Sequence, residues 1–290
     1  GLRVQISHFK IDTPSIWGSS KETIALVEDF RKQGVDVVVD QYPYDHSSTN
    51  LGITLPSWAL ADGQKAIEER LASPETRKRV AGEMKKMLAD LGHPDYSYAI
   101  VANYGADAAL NGKNISEINK AAGRAATVDN EIETILEMIV KGGAQMVYHS
   151  MGMEDVERIL RYPNTAIASD GGIREFGSGM PHPRSYGTNA RVLAEFVRAR
   201  GTLTLEDAVR RMTSLPARTF RFQDRGQLRE GFAADVLVFD PAKVKDVSTY
   251  ADPHHYTEGF DYVLVNGQAV VSEGKLNEVR PGRILRHKAE

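Results

Sequence analysis

The chain has 290 residues, a mass of 32.0 kDa and a net charge of −3, from 36 Lys and Arg against 39 Asp and Glu. This balance argues against nucleic acid and membrane partners, and a composition of 41% hydrophobic and 26% charged residues is typical of a soluble globular protein. No run of about 18 apolar residues and no basic, apolar leader is evident, so we expect a cytoplasmic protein.

The chain opens on a predicted β-α-β unit, the building block of parallel sheets. Val4 and Ile6 alternate with polar residues, which predicts a strand ending near residue 8. A helix is predicted from residue 20 to about residue 33, where Gly34 ends it. The β-branched run at 35–40 predicts a buried second strand that stops before Pro43.

Residues 45–125 interrupt this alternation of strands and helices. They carry turn residues, a lysine-rich helix around 81–91 and a short apolar run at 98–103. We interpret the segment as an insertion or lid.

Helix and strand patterns alternate again after residue 128. Apolar spacing and glycine stops predict helices at 129–140, 154–161, 190–200 and 205–213, the last capped by Thr204, and strands at 145–149 and 165–170.

Short strands separated by turns follow residue 220. Strands are predicted at 226–228, 234–240 and 262–271, the last interrupted by Asn266-Gly267, a strong hairpin signal. We place a small β module at 222–290.

Polar side chains end four of the predicted parallel strands, namely those of His8, Tyr42, His149 and Asp170. Because α/β enzymes assemble their sites at these ends, the set favours a functional site, although one His in a strand is more often structural. Asp170 by itself is equally typical of a turn before glycines. The chain has no cysteine, so a metal here would be held by His, Asp or Glu.

Six motifs follow one another along the chain. They are Ile6-Ser7-His8-Phe9-Lys10, Asp40-Gln41-Tyr42-Pro43-Tyr44 with Ser48-Thr49, Ala168-Ser169-Asp170-Gly171, His182-Pro183-Arg184-Ser185-Tyr186, Gly231-Phe232-Ala233-Ala234-Asp235 and Arg280-Pro281-Gly282-Arg283. In this order they resemble the motifs of the N-acyl-D-amino-acid deacylases (D-aminoacylases) of the amidohydrolase superfamily. The resemblance covers nearly the whole chain and is weakest across 50–125.

This resemblance implies an α/β fold: the carboxyl-terminal part of a metal-dependent (α/β)8 TIM-type barrel at 1–221, plus strands of a small β-sandwich domain at 222–290. It also implies a zinc cofactor. The family's His-x-His and middle-strand ligands have no counterpart here, so we expect an upstream amino-terminal half of the barrel to complete the site.

The resemblance also implies roles for individual residues. His8 would bind zinc, and Asp170 would be both a metal ligand and the general acid and base toward a metal-activated water. The substrate's carboxylate would be held by Lys10, Tyr42, Ser48 and Arg184. His149 and His182 are interpreted as core or loop residues, His46 departs from the small residue usual in the family, and His254-His255 is interpreted as surface structure.

Three functions remain open. The first is zinc-dependent hydrolysis of N-acyl-D-amino acids to a carboxylate and a free D-amino acid. The second is hydrolysis of a cyclic amide, as in dihydroorotases and hydantoinases. The cations Lys10 and Arg184 favour a substrate with a free carboxylate, and this weakens the cyclic-amide alternative only moderately. The third is a non-catalytic fragment that needs the upstream half.

Overall fold

The computed structural model describes residues 3–286, and its strands form three separate sheets. The strands are β1 (Arg3–Ile6), β2 (Asp36–Gln41), β3 (His46–Asn50), β4 (Ala99–Asn103), β5 (Gln145–His149), β6 (Thr165–Ile167), β7 (Val236–Phe239), β8 (Phe260–Val265), β9 (Gln268–Ser272) and β10 (Lys275–Leu276). The helices are α1 (Ser20–Lys32), α2 (Gln64–Ala72), α3 (Pro74–Leu91), α4 (Ile115–Ala121), α5 (Val128–Val140), α6 (Met153–Arg161), α7 (Arg184–Arg191, continued by a π-helix over Val192–Ala199), α8 (Leu205–Met212) and α9 (Ser214–Thr219).

The first sheet is parallel, with the order β1-β2-β6. Its middle strand β2 is buried from Val37 to Gln41, as expected for a parallel strand covered on both faces. Parallel pairing places the carboxyl ends of these strands at one edge. The predicted ends near His8, Tyr42 and Asp170 therefore lie on the same side of the sheet.

The second sheet is antiparallel, with the order β3-β5-β4. The prediction that 145–149 continues the parallel sheet was therefore wrong, because His149 lies opposite His46 in an antiparallel pair. The central residues of β5 are buried, and a short buried apolar run looks the same in either strand direction. Strand direction depends on partners distant in sequence.

The second sheet has a separate hydrophobic core. The apolar face of α5, which includes Ile132, Ile135 and Leu136, packs with α2, α3 and the buried side chains of β4 and β5. The sheet joins strands from inside the predicted insertion, residues 45–125, to β5 outside it. The insertion and the division of the chain after residue 221 stay predictions.

The third sheet is antiparallel, with the order β10-β9-β8-β7. Its predicted hairpin is confirmed: Asn266 and Gly267 have φ values of 48° and 80°, and the strands on either side pair antiparallel. The predicted strand at 226–228 was wrong. Gly226 instead forms a turn with φ 79° against α9, where an added Cβ would lie 2.7 Å from the Ala217 Cβ.

Helices α7 and α8 connect the parallel sheet to the third sheet. Their buried residues Val192, Phe196 and Ala208 belong to the same core as Tyr42 and Tyr44. As predicted, the Thr204 hydroxyl caps α8 by accepting the Asp207 N–H at 3.2 Å. None of the helices between residues 3 and 286 is long and apolar enough to cross a bilayer.

Candidate active site

The side chain of Asp40, on β2, holds the loop that follows β1 against this strand. Asp40 is buried, and its side chain accepts the His8 N–H at 2.7 Å and the Ser7 hydroxyl at 3.0 Å. Its carbonyl accepts the Phe9 N–H at 2.8 Å. These bonds hold His8 at φ 44°, a left-handed conformation uncommon outside glycine. The sequence-based prediction gave Asp40 no role, although a carboxylate in a buried apolar strand signals a polar partner.

Lys10 lies among the other predicted residues at this edge of the sheet. Its ammonium donates to Nδ1 of His8 at 2.9 Å and lies 5.8 Å from the centre of the Tyr42 ring. Burial lowers the pKa of Lys10, while the nearby carboxylates of Asp12 and Asp170 oppose that shift. Lys10 is therefore a half-buried cation facing the groups predicted to carry the chemistry.

Asp170 and Arg184 form an ion pair over Tyr42. The Nη2 of Arg184 is 2.9 Å from Oδ2 of Asp170, and the guanidinium carbon is 4.5 Å from the centre of the Tyr42 ring. Asp170 follows β6 with φ 47°, and the next residue, Gly171, packs so closely that a Cβ would lie 2.8 Å from the Ser185 Cα. The tertiary structure thus groups Lys10, Tyr42, Asp170 and Arg184, whose roles stay predictions.

Three buried polar groups, two of them in this site and one on the neighbouring residue Gln41, have no hydrogen-bond partner within residues 3–286. They are the Nη1 of Arg184, the hydroxyl of Tyr42 and the side-chain amide of Gln41 at the end of β2. Burial raises the pKa of Tyr42 well above 10, so its hydroxyl keeps its proton and can donate. Buried donors normally have partners, and a carboxylate would satisfy the guanidinium and the phenol together. The sequence-based prediction did not include Gln41.

Ser48 lies farther from this group. It sits on β3, and its hydroxyl donates to the Met146 carbonyl at 2.8 Å. It lines a cavity with His182 and with Ile173 and Arg174 from the loop after Asp170. The structure therefore places Ser48 in a cavity that Lys10, Tyr42, Asp170 and Arg184 do not line, and its hydroxyl links β3 to β5.

His182 links the start of β3 to the start of α7. Its Nε2 donates to the His46 carbonyl at 2.9 Å, and its Nδ1 accepts the Arg184 N–H at 3.0 Å. Burial lowers the pKa of His182 to about 3, so the ring is neutral and its two nitrogens have fixed roles. The histidine predicted to shape the loop therefore also orients the backbone of Arg184.

We expect His182→Gln to flatten the dependence of stability on pH. An unfolded His binds a proton near pH 6.5, whereas folded His182 binds one only near pH 3. Because the unfolded state binds more protons in this window, acidification destabilises the native protein by up to about 1.4 kcal/mol per pH unit. Unfolding free energies of wild type and His182→Gln between pH 6.5 and 4 measure the difference, with His255→Gln as a control. Parallel curves for all three proteins would contradict this expectation.

Asp45 is the centre of a neighbouring polar cluster. Its carboxylate accepts the Tyr250 hydroxyl at 2.8 Å and His46 Nδ1 at 2.7 Å, and it lies 3.8 Å from His149 Nε2. Burial alone would raise the pKa of Asp45, but the hydrogen bonds from His46 and Tyr250 and the nearby His149 hold it below its usual range. His149 thus faces Asp45, the residue before β3, rather than ending a parallel strand. Asp45 and Tyr250 are absent from the sequence-based prediction.

His254 was also misassigned, since the surface role predicted for it does not match its contacts. Its ring bonds to Gly177 and Gly179 in the loop that follows Asp170. His255 beside it is exposed and pairs with Asp252 at 2.7 Å, as a surface histidine should.

Comparison with known proteins identifies the family. Residues 99–271 match the model of the Amidohydrolase family. The chain belongs to the amidohydrolase family. This amidohydrolase is 35% identical over its whole length to an N-acyl-D-glutamate deacylase of Alcaligenes xylosoxydans xylosoxydans, and 32% identical over 97% of its length to a D-aminoacylase of the same organism.

Solved structures agree with this assignment. The N-acyl-D-glutamate deacylase of Bordetella bronchiseptica, complexed with zinc and a phosphonate inhibitor, superposes with a TM-score of 0.76 at 31% identity over 99% of the chain. A D-aminoacylase structure gives a TM-score of 0.75, also at 31% identity. The predicted resemblance to N-acyl-D-amino-acid deacylases is confirmed. The amidohydrolase chain spans about half the length of these relatives, 49% and 48% of the two sequences and 50% of each structure.

The described residues do not by themselves make a catalytic zinc site. His8 and Asp170 have the right donor atoms, but Nδ1 of His8 accepts from Lys10 and Asp170 pairs with Arg184. Between residues 3 and 286, no group of three His, Asp or Glu side chains is arranged to hold a metal ion. A catalytic zinc ion needs about three protein ligands, and His8 and Asp170 would supply only two of them.

Proposed function

We propose that this amidohydrolase hydrolyses the amide bond of N-acyl-D-amino acids, giving a carboxylate and a free D-amino acid. The observation that carries the proposal is the grouping of Lys10, Tyr42, Asp170 and Arg184 at one edge of the parallel sheet. The parallel strands would belong to an (α/β)8 barrel, with the third sheet contributing to a β-sandwich. The names of the deacylase relatives support this reaction class.

The substrate's free carboxylate would bind the two cations. Arg184 is only 7% exposed and has a buried Nη1 without a partner among the described residues, so its fork offers a donor that is not used by Asp170. Tyr42 adds a protonated hydroxyl beside it, and Lys10 adds a second positive charge. This arrangement favours an acyl-amino acid over a cyclic amide without a free carboxylate.

Asp170 would carry protons during hydrolysis. Its carboxylate can accept a proton from the attacking water and deliver one to the leaving nitrogen, which is the usual role of a positioned carboxylate. Arg184 keeps Asp170 oriented through the 2.9 Å ion pair. Zinc, held by His8 and Asp170 with ligands from beyond residues 3–286, would supply the activation of that water.

Zinc content and turnover test the proposal. The complete enzyme should bind zinc tightly and hydrolyse N-acetyl-D-amino acids, with activity lost to a chelator and restored by zinc. The 290-residue chain alone should show weak zinc affinity and negligible turnover, because two ligands cannot fix the metal. Robust chelator-sensitive turnover by this chain alone would contradict the incomplete site. A complete enzyme that hydrolyses dihydroorotate but no N-acetyl-D-amino acid would favour the cyclic-amide alternative.

A further inference from the structure

A histidine between β7 and β8 reaches the loop that joins Asp170 to His182. We propose that His254 is a positioning residue that fixes this loop, residues 171–181, as one wall of the cavity that Ser48 and His182 also line. The inference rests on the proposed deacylase function and adds a residue from the third sheet's segment to the site.

Hydrogen bonds tie both ring nitrogens of His254 to the 171–181 loop, and one of them also to α7. The Nε2 lies 2.9 Å from the Gly179 carbonyl oxygen and donates to it. The Nδ1 lies 3.1 Å from the Gly177 nitrogen and 2.9 Å from the Tyr186 hydroxyl, and these two donors share its single lone pair. The neutral tautomer protonated on Nε2 is the one that fits these contacts.

Aromatic packing supports the same position. Phe176, within the 171–181 loop, has its ring centre 5.5 Å from His254 and 5.3 Å from Tyr256. Tyr186 lies 5.8 Å from His254 and 5.9 Å from Tyr256. The loop thus packs on a small aromatic cluster formed by α7 and the segment before β8.

The 171–181 loop has few other attachments. The Met180 N–H donates to the Ala102 carbonyl at 2.6 Å at the end of β4, and Ser178 bonds within the loop to Glu175. Residues 171–175, which include the fully exposed Ile173, belong to no helix, strand or turn. Through Gly177 and Gly179, His254 is therefore the main polar tie between the loop and the rest of the described chain.

The fixed loop forms one wall of the cavity in which Ser48, one of the proposed substrate-binding residues, lies. Ile173, Arg174 and Ser178 line the cavity that also contains Ser48 and His182. Asp170 at the start of the loop is held separately by Arg184. Releasing the loop should therefore weaken substrate binding more than it slows the chemical step.

His254→Phe in the complete, zinc-loaded enzyme tests this role. Phenylalanine keeps a ring against Phe176 but removes the donor and the acceptor. We expect KM for N-acetyl-D-amino acids to rise about 5- to 30-fold, from the loss of two or three hydrogen bonds, with kcat within about threefold of wild type. The matched control is His255→Phe, which changes the exposed neighbour in the same way and should leave both constants unchanged.

Hydrogen exchange gives a readout independent of activity. In His254→Phe, the amides of Gly177 and Met180 should exchange at least about tenfold faster, while those of β2 keep their protection. His254→Asn retains an acceptor near the Nδ1 position and should restore part of the protection at Gly177.

The kinetic and hydrogen-exchange measurements together distinguish a failure of the His254 proposal from a failure of the proposed deacylase function. Equal exchange and equal KM in His254→Phe and His255→Phe would overturn the proposal, as would a loss of protection spread across the whole chain. An inactive wild-type enzyme whose loop loses protection only in His254→Phe would overturn the deacylase function but retain the fixed loop.

Discussion

Asp170→Asn is expected to lower kcat of the complete enzyme by about a thousandfold, with little change in substrate binding. General acid and base catalysis contributes about 10²- to 10⁴-fold, and an amide cannot accept the proton. Asn also tolerates the left-handed backbone that Asp170 adopts at φ 47°, so the loop should keep its shape. Steady-state kinetics on N-acetyl-D-amino acids measure the effect.

Two controls make this result specific. Zinc content must be measured in Asp170→Asn, because the proposed function also makes Asp170 a metal ligand. Asp12→Asn removes another carboxylate whose charge acts on Lys10, and we expect less than about a tenfold loss from it. Near-normal turnover in zinc-loaded Asp170→Asn would return Asp170 to the alternative role of a turn residue.

Arg184→Met is expected to weaken catalysis selectively for substrates with a free carboxylate. Loss of one charge-assisted contact costs about 1.5 to 3 kcal/mol, or roughly 10- to 150-fold in kcat/KM. Because the variant also releases Asp170 from its ion pair, some loss should appear on every substrate. The measurement is therefore the ratio of kcat/KM for N-acetyl-D-amino acids to that for the matching amides.

Arg191→Met is the matched control for this experiment. Arg191 ends α7, and its guanidinium carbon lies 4.8 Å from the centre of the Tyr44 ring, as that of Arg184 lies over Tyr42. It bonds instead to the Pro43 carbonyl at 2.7 Å. We expect Arg191→Met to lower the free energy of unfolding without changing the ratio of kcat/KM for the acid to that for the amide. Equal losses on the acid and the amide in Arg184→Met would remove Arg184 from the substrate site.

Local sequence was enough to predict several elements and the main catalytic candidates. The β-branched run of β2, the helical apolar spacing of α5 and the Asn266-Gly267 turn each encode their conformation within a few residues. Polar residues at the ends of parallel strands were likewise predictable, because parallel strands place their carboxyl ends at one edge. The resemblance to the deacylase motifs added the proposed role of Arg184, which no periodicity indicates.

Tertiary structure alone decided the rest. The apolar run of β5 is compatible with a parallel or an antiparallel strand, and only its pairing with β3 and β4 fixed the direction. Asp45 and Tyr250 meet across 205 residues, and His254 reaches Gly179 across 75. Sequence by itself determined which conformations each segment favours. Strand partners and long-range hydrogen bonds depend on groups far apart in the chain. They therefore arise only when the separate hydrophobic faces pack together.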